Sequence, residues 1–378
     1  MTALIFIFAG AYLFLLLYYL NGWYSLEVFI PGNSPPKLKF SIIIPARNEE
    51  ACIQDVLEDL ISQDYPVDLF EIIVVDDASK DSTARLIREF QKENKSRFSN
   101  LTYILLSTDQ ANLSGKKAAI TKGVEASVHK WIVCTDADCR INSTWLSTLA
   151  SFIEKQKPVF VSAPVVFHNE TTYFEKMQSL EFMSLIGIGA ATISQGSPTM
   201  SNGANMAFKR EVFAEVNGYS GNEHIASGDD EFLMHKIART HPGRIKFLKS
   251  AEAMVRTRAK VSLDKFWEQR KRWVSKSRNY KNPMERGMQV FVWLFHLILL
   301  ISLVVALFIP QVWTEFLLLF AIKIVAELVF VFPLAKFFKK QEFLIYYIPA
   351  AFLYIFYVVF VAFAGSFGKF YWKGRRIN

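Results

Sequence analysis

The sequence predicts an α/β domain with a mostly parallel sheet flanked by helices, and transmembrane helices at both ends of the chain. Three observations carry this. Between residues 40 and 135, short apolar β-branched runs alternate with stretches of helical periodicity, the pattern of a parallel sheet with right-handed crossovers. Residues 4–20 and 290–309 are uncharged apolar runs, each near the roughly 20 residues that span a bilayer. Hydrophobic residues make up 52% of the 378, with mean hydropathy +0.20, which departs from an ordinary soluble enzyme.

The first apolar run lacks a basic leading segment, and Asn21, Gly22, Trp23 and Tyr24 follow it in place of a small-residue cleavage site. A retained anchor over residues 1–24 is therefore expected. Pro31, Gly32, Pro35 and Pro36 mark a linker over 25–37. A catalytic α/β domain over 38–257 opens with a buried strand at 40–45. Asn48 is placed to cap the next helix, in which Ile53, Val56, Leu57, Leu60 and Ile61 repeat at helical spacing. A strand at 71–75 runs into Asp76 and Asp77. A helix over 82–91, a strand at 102–106, a helix over 116–126 and a strand at 131–135 complete the alternation.

Beyond it, a helix over 143–155, a strand at 159–167 and a helix over 173–193 are expected. Two loops rich in Ser, Gly and Asn follow, at 195–205 and 222–230, with Asp229 or Asp230 capping a helix from 231. Residues 258–286 form an interface segment whose amphipathic part, 263–278, sets Gln269, Arg272 and Trp273 on one helical face with Phe266 a turn behind. Such a segment lies along a membrane surface.

Three apolar blocks, 290–309, 316–334 and 343–363, then fill a transmembrane region over 287–368. The middle block carries Lys323 and Glu327 four residues apart, a pair that faces protein or a cavity rather than lipid. The basic tail, 369–378, holds Lys369, Lys373, Arg375 and Arg376, which favours the cytoplasmic side. With a cytoplasmic domain after one span, three further full crossings would leave the tail outside. The charged middle block is therefore expected not to cross fully.

The net charge of +8 gathers in Arg256, Arg258, Lys260, Arg270, Lys271, Arg272, Lys276, Arg278 and Lys281, where an anionic-lipid-facing segment belongs. The cluster abuts a span and no nucleic-acid motif accompanies it, so nucleic acid is not an expected partner. Cys52, Cys134 and Cys139 are odd in number and imply no disulfide framework, which fits a reducing compartment.

The chemistry centres on residues 131–138, an apolar strand ending in Asp136-Ala137-Asp138. Parallel sheets bind ligands at the carboxyl ends of their strands. Two carboxylates one residue apart need a bend after Thr135 before both face one ligand. A divalent ion shared with a substrate diphosphate supplies the attraction, and Mg2+ or Mn2+ suits such an oxygen site. Taken alone, the pair equally describes a solvated turn. The first strand leads into Ala46-Arg47-Asn48-Glu49 without a glycine-rich turn, which excludes a dinucleotide fold. Gln110 stands where a P-loop ending in Gly115-Lys116 needs glycine. Acids at strand ends cannot cradle phosphate directly; they need a metal, or a base or sugar hydroxyl to accept bonds from.

Seven separated motifs together resemble the membrane-integrated family 2 glycosyltransferases of GT-A fold, over roughly residues 38–275. They are Pro45-Ala46-Arg47-Asn48-Glu49, Asp76-Asp77-Ala78-Ser79, Gly115-Lys116-Lys117-Ala118-Ala119, Asp136-Ala137-Asp138, Ser201-Asn202-Gly203-Ala204-Asn205, Gly228-Asp229-Asp230 and Gln269-Arg270-Lys271-Arg272-Trp273. The resemblance, shared by ceramide glucosyltransferases and by cellulose and hyaluronan synthases, implies that Asp77 reads a nucleotide base in a pocket lined by Pro45, Arg47 and Glu49. Arg47 stands where many relatives carry an aromatic residue. It further implies that Lys116 meets the diphosphate or base, that Asp136 contacts ribose or sugar, and that Asp138 ligates the metal. Asp230 is similar to the acid that deprotonates the acceptor, with Asp229 its neighbour and rival. Gln269, Arg272 and Trp273 resemble residues that cover the site and hold pyrophosphate and acceptor, and Asn202 and Gly203 line the acceptor side.

The expected enzyme is an inverting hexosyltransferase in a plasma or inner membrane, with its catalytic domain cytoplasmic. Its partners are a nucleotide-sugar donor, expected to be UDP-linked, and a lipid or lipid-linked acceptor. The few spans tilt the expectation toward transfer of one sugar onto a lipid, over a processive polysaccharide synthase. A non-catalytic scaffold or transporter is the rival of another class.

Overall fold

The computed structural model describes residues 2–32, 35–106, 115–223, 225, 227–280, 282–367, 370–372 and 375–377. The chain forms two compact units: Ser25–Asn169 with Thr192–Arg258, and Met1–Tyr24 with Glu170–Ala191 and Ala259–Asn378. After helix α1 (Thr2–Tyr24), which belongs to the second, the first unit begins with β1 (Phe40–Ala46), α2 (Ile53–Ile61), β2 (Phe70–Asp76), α3 (Thr83–Glu93), β3 (Leu101–Leu105), α4 (Lys116–Ala126) and β4 (Trp131–Cys134). The four strands are parallel, with Ile42 opposite both Ile72 and Val133. Phe40, Ile42, Ile43 and Ile44 are fully buried, as a strand covered by helices on both faces requires. Gly123 lets α4 press onto β1: a Cβ built there would lie 2.6 Å from Ile43 Cγ2.

β5 (Arg140–Ile141), α5 (Trp145–Gln156), β6 (Phe160–Ser162) and β7 (Val165–Phe167) follow. The single strand expected at 159–167 is two, divided at Ala163-Pro164. β6 joins the main sheet and β7 a smaller one, because proline cannot donate to a ladder and its segment turns away. α6 (Tyr173–Ser194) belongs to the second unit as far as Ala191. β8 (Met206–Lys209), α7 (Arg210–Glu215), α8 (Asp229–Thr240), β9 (Ile245–Phe247) and β10 (Val255–Thr257) complete the first unit. The main sheet has the order β3-β2-β1-β4-β8-β6-β9, with β8 antiparallel to both neighbours, so it is mixed but largely parallel.

Two expected caps are not formed. Asn48 takes a left-handed backbone, φ 52°, and α2 starts later, at Ile53, with Cys52 in the cap position. The Asn48 Oδ1 instead accepts from the Lys80 amide at 2.9 Å, tying the loop after β1 to the loop after β2. At α8 the cap is Gly228, φ 76°, so Asp229 and Asp230 stand in the first turn. The stretch after α1 is docked rather than a free spacer: Phe29 donates to the Lys249 carbonyl at 2.8 Å, and Lys249 Nζ to that of Leu26 at 2.9 Å.

The second unit adds α9 (Leu263–Ser275), α10 (Pro283–Ala306), α11 (Val312–Phe338), α12 (Tyr347–Phe367) and a ladder of β11 (Phe370–Trp372) with β12 (Arg375–Ile377). Phe6–Tyr24, Pro283–Ala306, Val312–Phe338 and Gln341–Gly365 are long and apolar enough to cross a membrane. Lys323 is fully buried and donates to Glu327 at 2.6 Å. Glu327 also accepts from the hydroxyls of Tyr12 and Tyr347. These charges are paired inside the unit, so α11 faces protein at this pair, as the middle block is expected to. Gln110, Lys281, Lys369 and Lys373 lie outside the described residues.

Candidate active site

β4 ends at Cys134, and the chain bends at once into a turn over Ala137 and Asp138, where the Cys139 amide donates to the Asp136 carbonyl at 3.2 Å. The turn presents both acids half-exposed, on different partners. Asp136 receives Lys116 Nζ at 2.6 Å, from the first residue of α4. The same ammonium lies 3.3 Å from Asp229. Burial pulls the Lys116 pKa down, but Asp136 and Asp229 outweigh it and hold it raised. Burial pushes Asp229 up, and Lys116 more than reverses this, so its carboxyl stays below the usual range.

The 195–205 loop closes on the same cluster. The Gly203 amide donates to Asp230 Oδ2 at 2.9 Å, while Asp230 Oδ1 accepts from the Glu231 amide at 2.8 Å. A side chain at 203 would put its first carbon 2.8 Å from both Asp229 Oδ2 and Lys116 Nζ, so glycine is required for the approach. Asn202 shapes the turn, its Oδ1 accepting from the Ala204 amide at 3.0 Å. The structure thus gathers Lys116, Asp136, Asp229, Asp230 and Gly203 from four separated segments.

The other sequence-predicted residues fall in two groups. Arg47, only 7% exposed, donates to the Asp77 carbonyl and lies 3.5 Å from its carboxylate, which ties the loop after β1 to the end of β2. Pro45 is a β1 residue paired with Val75, and the Glu49 amide donates to Thr83 Oγ1 at 2.8 Å. Gln269, Arg272 and Trp273 sit half-buried on α9 in the second unit. There the buried arginine is Arg270, 1% exposed, so the basic cluster does not all face lipid.

Two residues without an assigned role hold the loop. Asn205, 2% exposed, accepts from Trp145 Nε1 at 3.0 Å and donates to the Pro164 and Ala253 carbonyls at 2.8 Å. His235 Nε2 meets the Thr199 carbonyl at 3.0 Å. The asparagine in Ser201-Asn202-Gly203-Ala204-Asn205 was the only advance signal; the histidine gave none.

A divalent ion is tested against Asp138. Its carboxylate has one hydrogen-bond partner among the described residues, the Cys139 thiol at 3.9 Å, so it is available for a hard cation. Among the described residues no three metal-binding side chains gather. An ion at Asp138 would be held by one or two carboxylates and completed by substrate phosphates. Burial, with Asp138 and Asp136 beside it, pushes the Cys139 thiol up. All three cysteines are free.

Comparison with known proteins gives the chain's family and fold. The description "Glycosyl transferase family 2" matches residues 41–216, and "Glycosyl transferase family group 2" matches 131–364. Poly-beta-1,6-N-acetyl-D-glucosamine synthase of Staphylococcus epidermidis is 26% identical over 235 residues, 62% of this chain and 53% of that protein. The synthase of the same name from Staphylococcus aureus (strain COL) is 25% identical over 272 residues, 69% of this chain and 62% of that protein. The chain thus spans somewhat over half the length of these relatives. Among solved structures, the mannosyltransferase PcManGT from Pyrobaculum calidifontis, in complex with GDP-Man and Mn2+, superposes with TM-score 0.59 at 20% identity, covering 97% of this chain and 99% of that one.

Proposed function

The chain belongs to glycosyl transferase family 2, with a GT-A-like fold, and from that premise we propose that it is a membrane-bound inverting transferase adding a sugar from a UDP-linked donor to a growing saccharide. The relatives' name favours an N-acetylhexosamine and repeated transfer. This replaces the expectation of one sugar placed on a lipid, which rested only on the number of spans. The observation that carries the proposal is the cluster of Lys116, Asp136, Asp229 and Asp230 around Gly203.

Inverting transfer needs one base for the acceptor hydroxyl and compensation for charge growing on the leaving diphosphate. Asp229 lies 3.3 Å from Lys116, and Asp230, held at the Gly203 turn, is taken as the base of the pair. Its bonds from the Gly203 and Glu231 amides orient the carboxylate. Lys116 faces the diphosphate and Asp136 the donor sugar or ribose. Asp77, held by Arg47 with Pro45 and Glu49 nearby, receives the base. Asp138 holds Mg2+ or Mn2+, which supplies Lewis-acid stabilisation of the leaving group. Gln269, Arg272 and Trp273 serve the diphosphate and acceptor, with Asn202 beside Gly203 on the acceptor side. The first unit works on the cytoplasmic side of a plasma or inner membrane.

The test is a donor screen on membranes containing the protein, with Mn2+, using UDP-N-acetylglucosamine, UDP-glucose and GDP-mannose, and counting sugars per product. Transfer from a UDP-sugar with several units per chain is expected. A product limited to one sugar on lipid would return the earlier alternative; no transfer from any donor would leave a scaffold. Asp138→Ala should abolish the metal dependence of nucleotide affinity, and unchanged affinity with and without manganese would remove Asp138 from the metal.

A further inference from the structure

Gln269-Arg270-Lys271-Arg272-Trp273 contains an arginine to which the motif reading gives no role. Arg270 is 1% exposed, and its guanidinium lies 4.1 Å from the Trp273 ring centroid and 4.6 Å from that of Phe266. Nη1 donates to Gln269 Oε1 at 3.3 Å, and Nη2 to Glu181 Oε2 on α6 at 2.5 Å. The other Glu181 oxygen accepts from Tyr354 of α12 at 3.3 Å. Phe182, the next residue on α6, stacks on Trp273 at 6.2 Å. Two of the three motif side chains therefore touch one arginine, and that arginine is aimed by a glutamate 89 residues away.

A buried ion pair is weak evidence for stability, and its best-attested use is to fix register. Arginine suits such a role because its planar fork bonds a carboxylate and a neighbouring amide at once while its face stacks on an indole, which lysine cannot reproduce. Attachment of α9 to α6 has a separate device. Gln178, one turn before Glu181, donates to the Lys260 carbonyl at 2.8 Å and accepts from its amide at 3.1 Å. We propose that Glu181 is a positioning residue of the transfer reaction, setting Gln269 and Trp273 through Arg270. The inference rests on the reading that these motif residues serve the diphosphate and acceptor.

Glu181→Gln removes the charge that holds the fork and keeps its shape. Its kcat should fall on the order of 10- to 100-fold, the scale of a small misplacement of reacting groups, and its thermal midpoint should drop because Arg270 stays buried without its counter-charge, so kcat is read well below that midpoint. Arg270→Lys should show the same loss, and the double variant should be no worse than either single one, since both break one connection. Gln178→Leu, which loosens only the attachment, should lower the thermal midpoint without that loss of kcat. Tyr354→Phe, which removes one hydroxyl, gives a milder change in the direction of Glu181→Gln and serves if that variant does not fold.

Hydroxyl-radical footprinting of Trp273 reads the arrangement without turnover. Its modification should rise in Glu181→Gln and not in Gln178→Leu, with buried Trp145 as the unchanged reference. Equal protection of Trp273 in Glu181→Gln and wild type, or wild-type kcat in that variant, would overturn the proposal. A wild type that transfers no sugar would remove the proposed function, while the footprint would still decide whether Glu181 sets Trp273.

Discussion

Lys116 is the residue on which the cluster's charge balance depends, and its titration fixes a pH dependence. Asp229 has a folded pKa below the ordinary value of about 3.9. Its contribution is therefore present above that value and lost as pH falls through the lower folded one. Lys116 has a folded pKa above the ordinary value of about 10.4, so its contribution is complete below that and lost only as pH rises through the higher folded one. Between these limits the ion pair should be insensitive to pH. Lys116→Met leaves Asp229 buried without its cation, and burial then raises its carboxyl pKa. The stability gap between wild type and variant should widen from pH 4 to 7, measured by thermal melts across that range; a constant gap would contradict the pairing. Gly203→Ala probes the same spot by volume. Its Cβ meets only the flexible ends of Asp229 and Lys116, so folding should survive while the ion pair opens. Overpacking of about 1–3 kcal/mol, taken from ligand binding, lowers nucleotide affinity roughly tenfold, a change that calorimetry would detect.

At the scale of elements, Gly123→Ala tests the contact of α4 with β1. Alanine gains about 1 kcal/mol of helix propensity, but its Cβ would fall 2.6 Å from the fully buried Ile43, which has nowhere to move. Overpacking of about 1–3 kcal/mol should exceed the gain, and the melting midpoint should drop by a few degrees; an unchanged or higher midpoint would show that the helix has room to shift. Legibility followed element length. β1, β2 and β4 were readable because their Ile and Val runs are continuous, and α4 matched its expected span of 116–126. β8, β9 and β10 were not, because their three or four residues carry neither a usable period nor a continuous Ile and Val run. The Asn48 cap failed because its side chain bonds the loop after β2, a partner that local pattern cannot reveal. On α9, helical spacing grouped Gln269, Arg272 and Trp273, whereas burial selected Arg270. Glu181 makes that choice, and its distance along the sequence hides it.

At the scale of the molecule, two units of different character share one chain, and the apolar one carries its own buried polar chemistry. Glu327 joins α1, α11 and α12 through Tyr12, Lys323 and Tyr347, which explains why two charges occur in an otherwise apolar block. Site motifs were legible because each is contiguous in sequence. Their convergence on Gly203 was not, since it depends on β8 entering the sheet antiparallel beside β4. The central claim is inverting transfer with Asp230 as the base. It is tested most directly by following the anomeric configuration of product formed from UDP-N-acetylglucosamine and Mn2+ by wild type, Asp229→Asn and Asp230→Asn. The wild type should give a β-linked product from the α-linked donor. Asp230→Asn should bind UDP normally yet turn over on the order of 10²- to 10⁴-fold more slowly, the usual cost of losing a general base. An α-linked product, or an active Asp230→Asn beside an inactive Asp229→Asn, would contradict it.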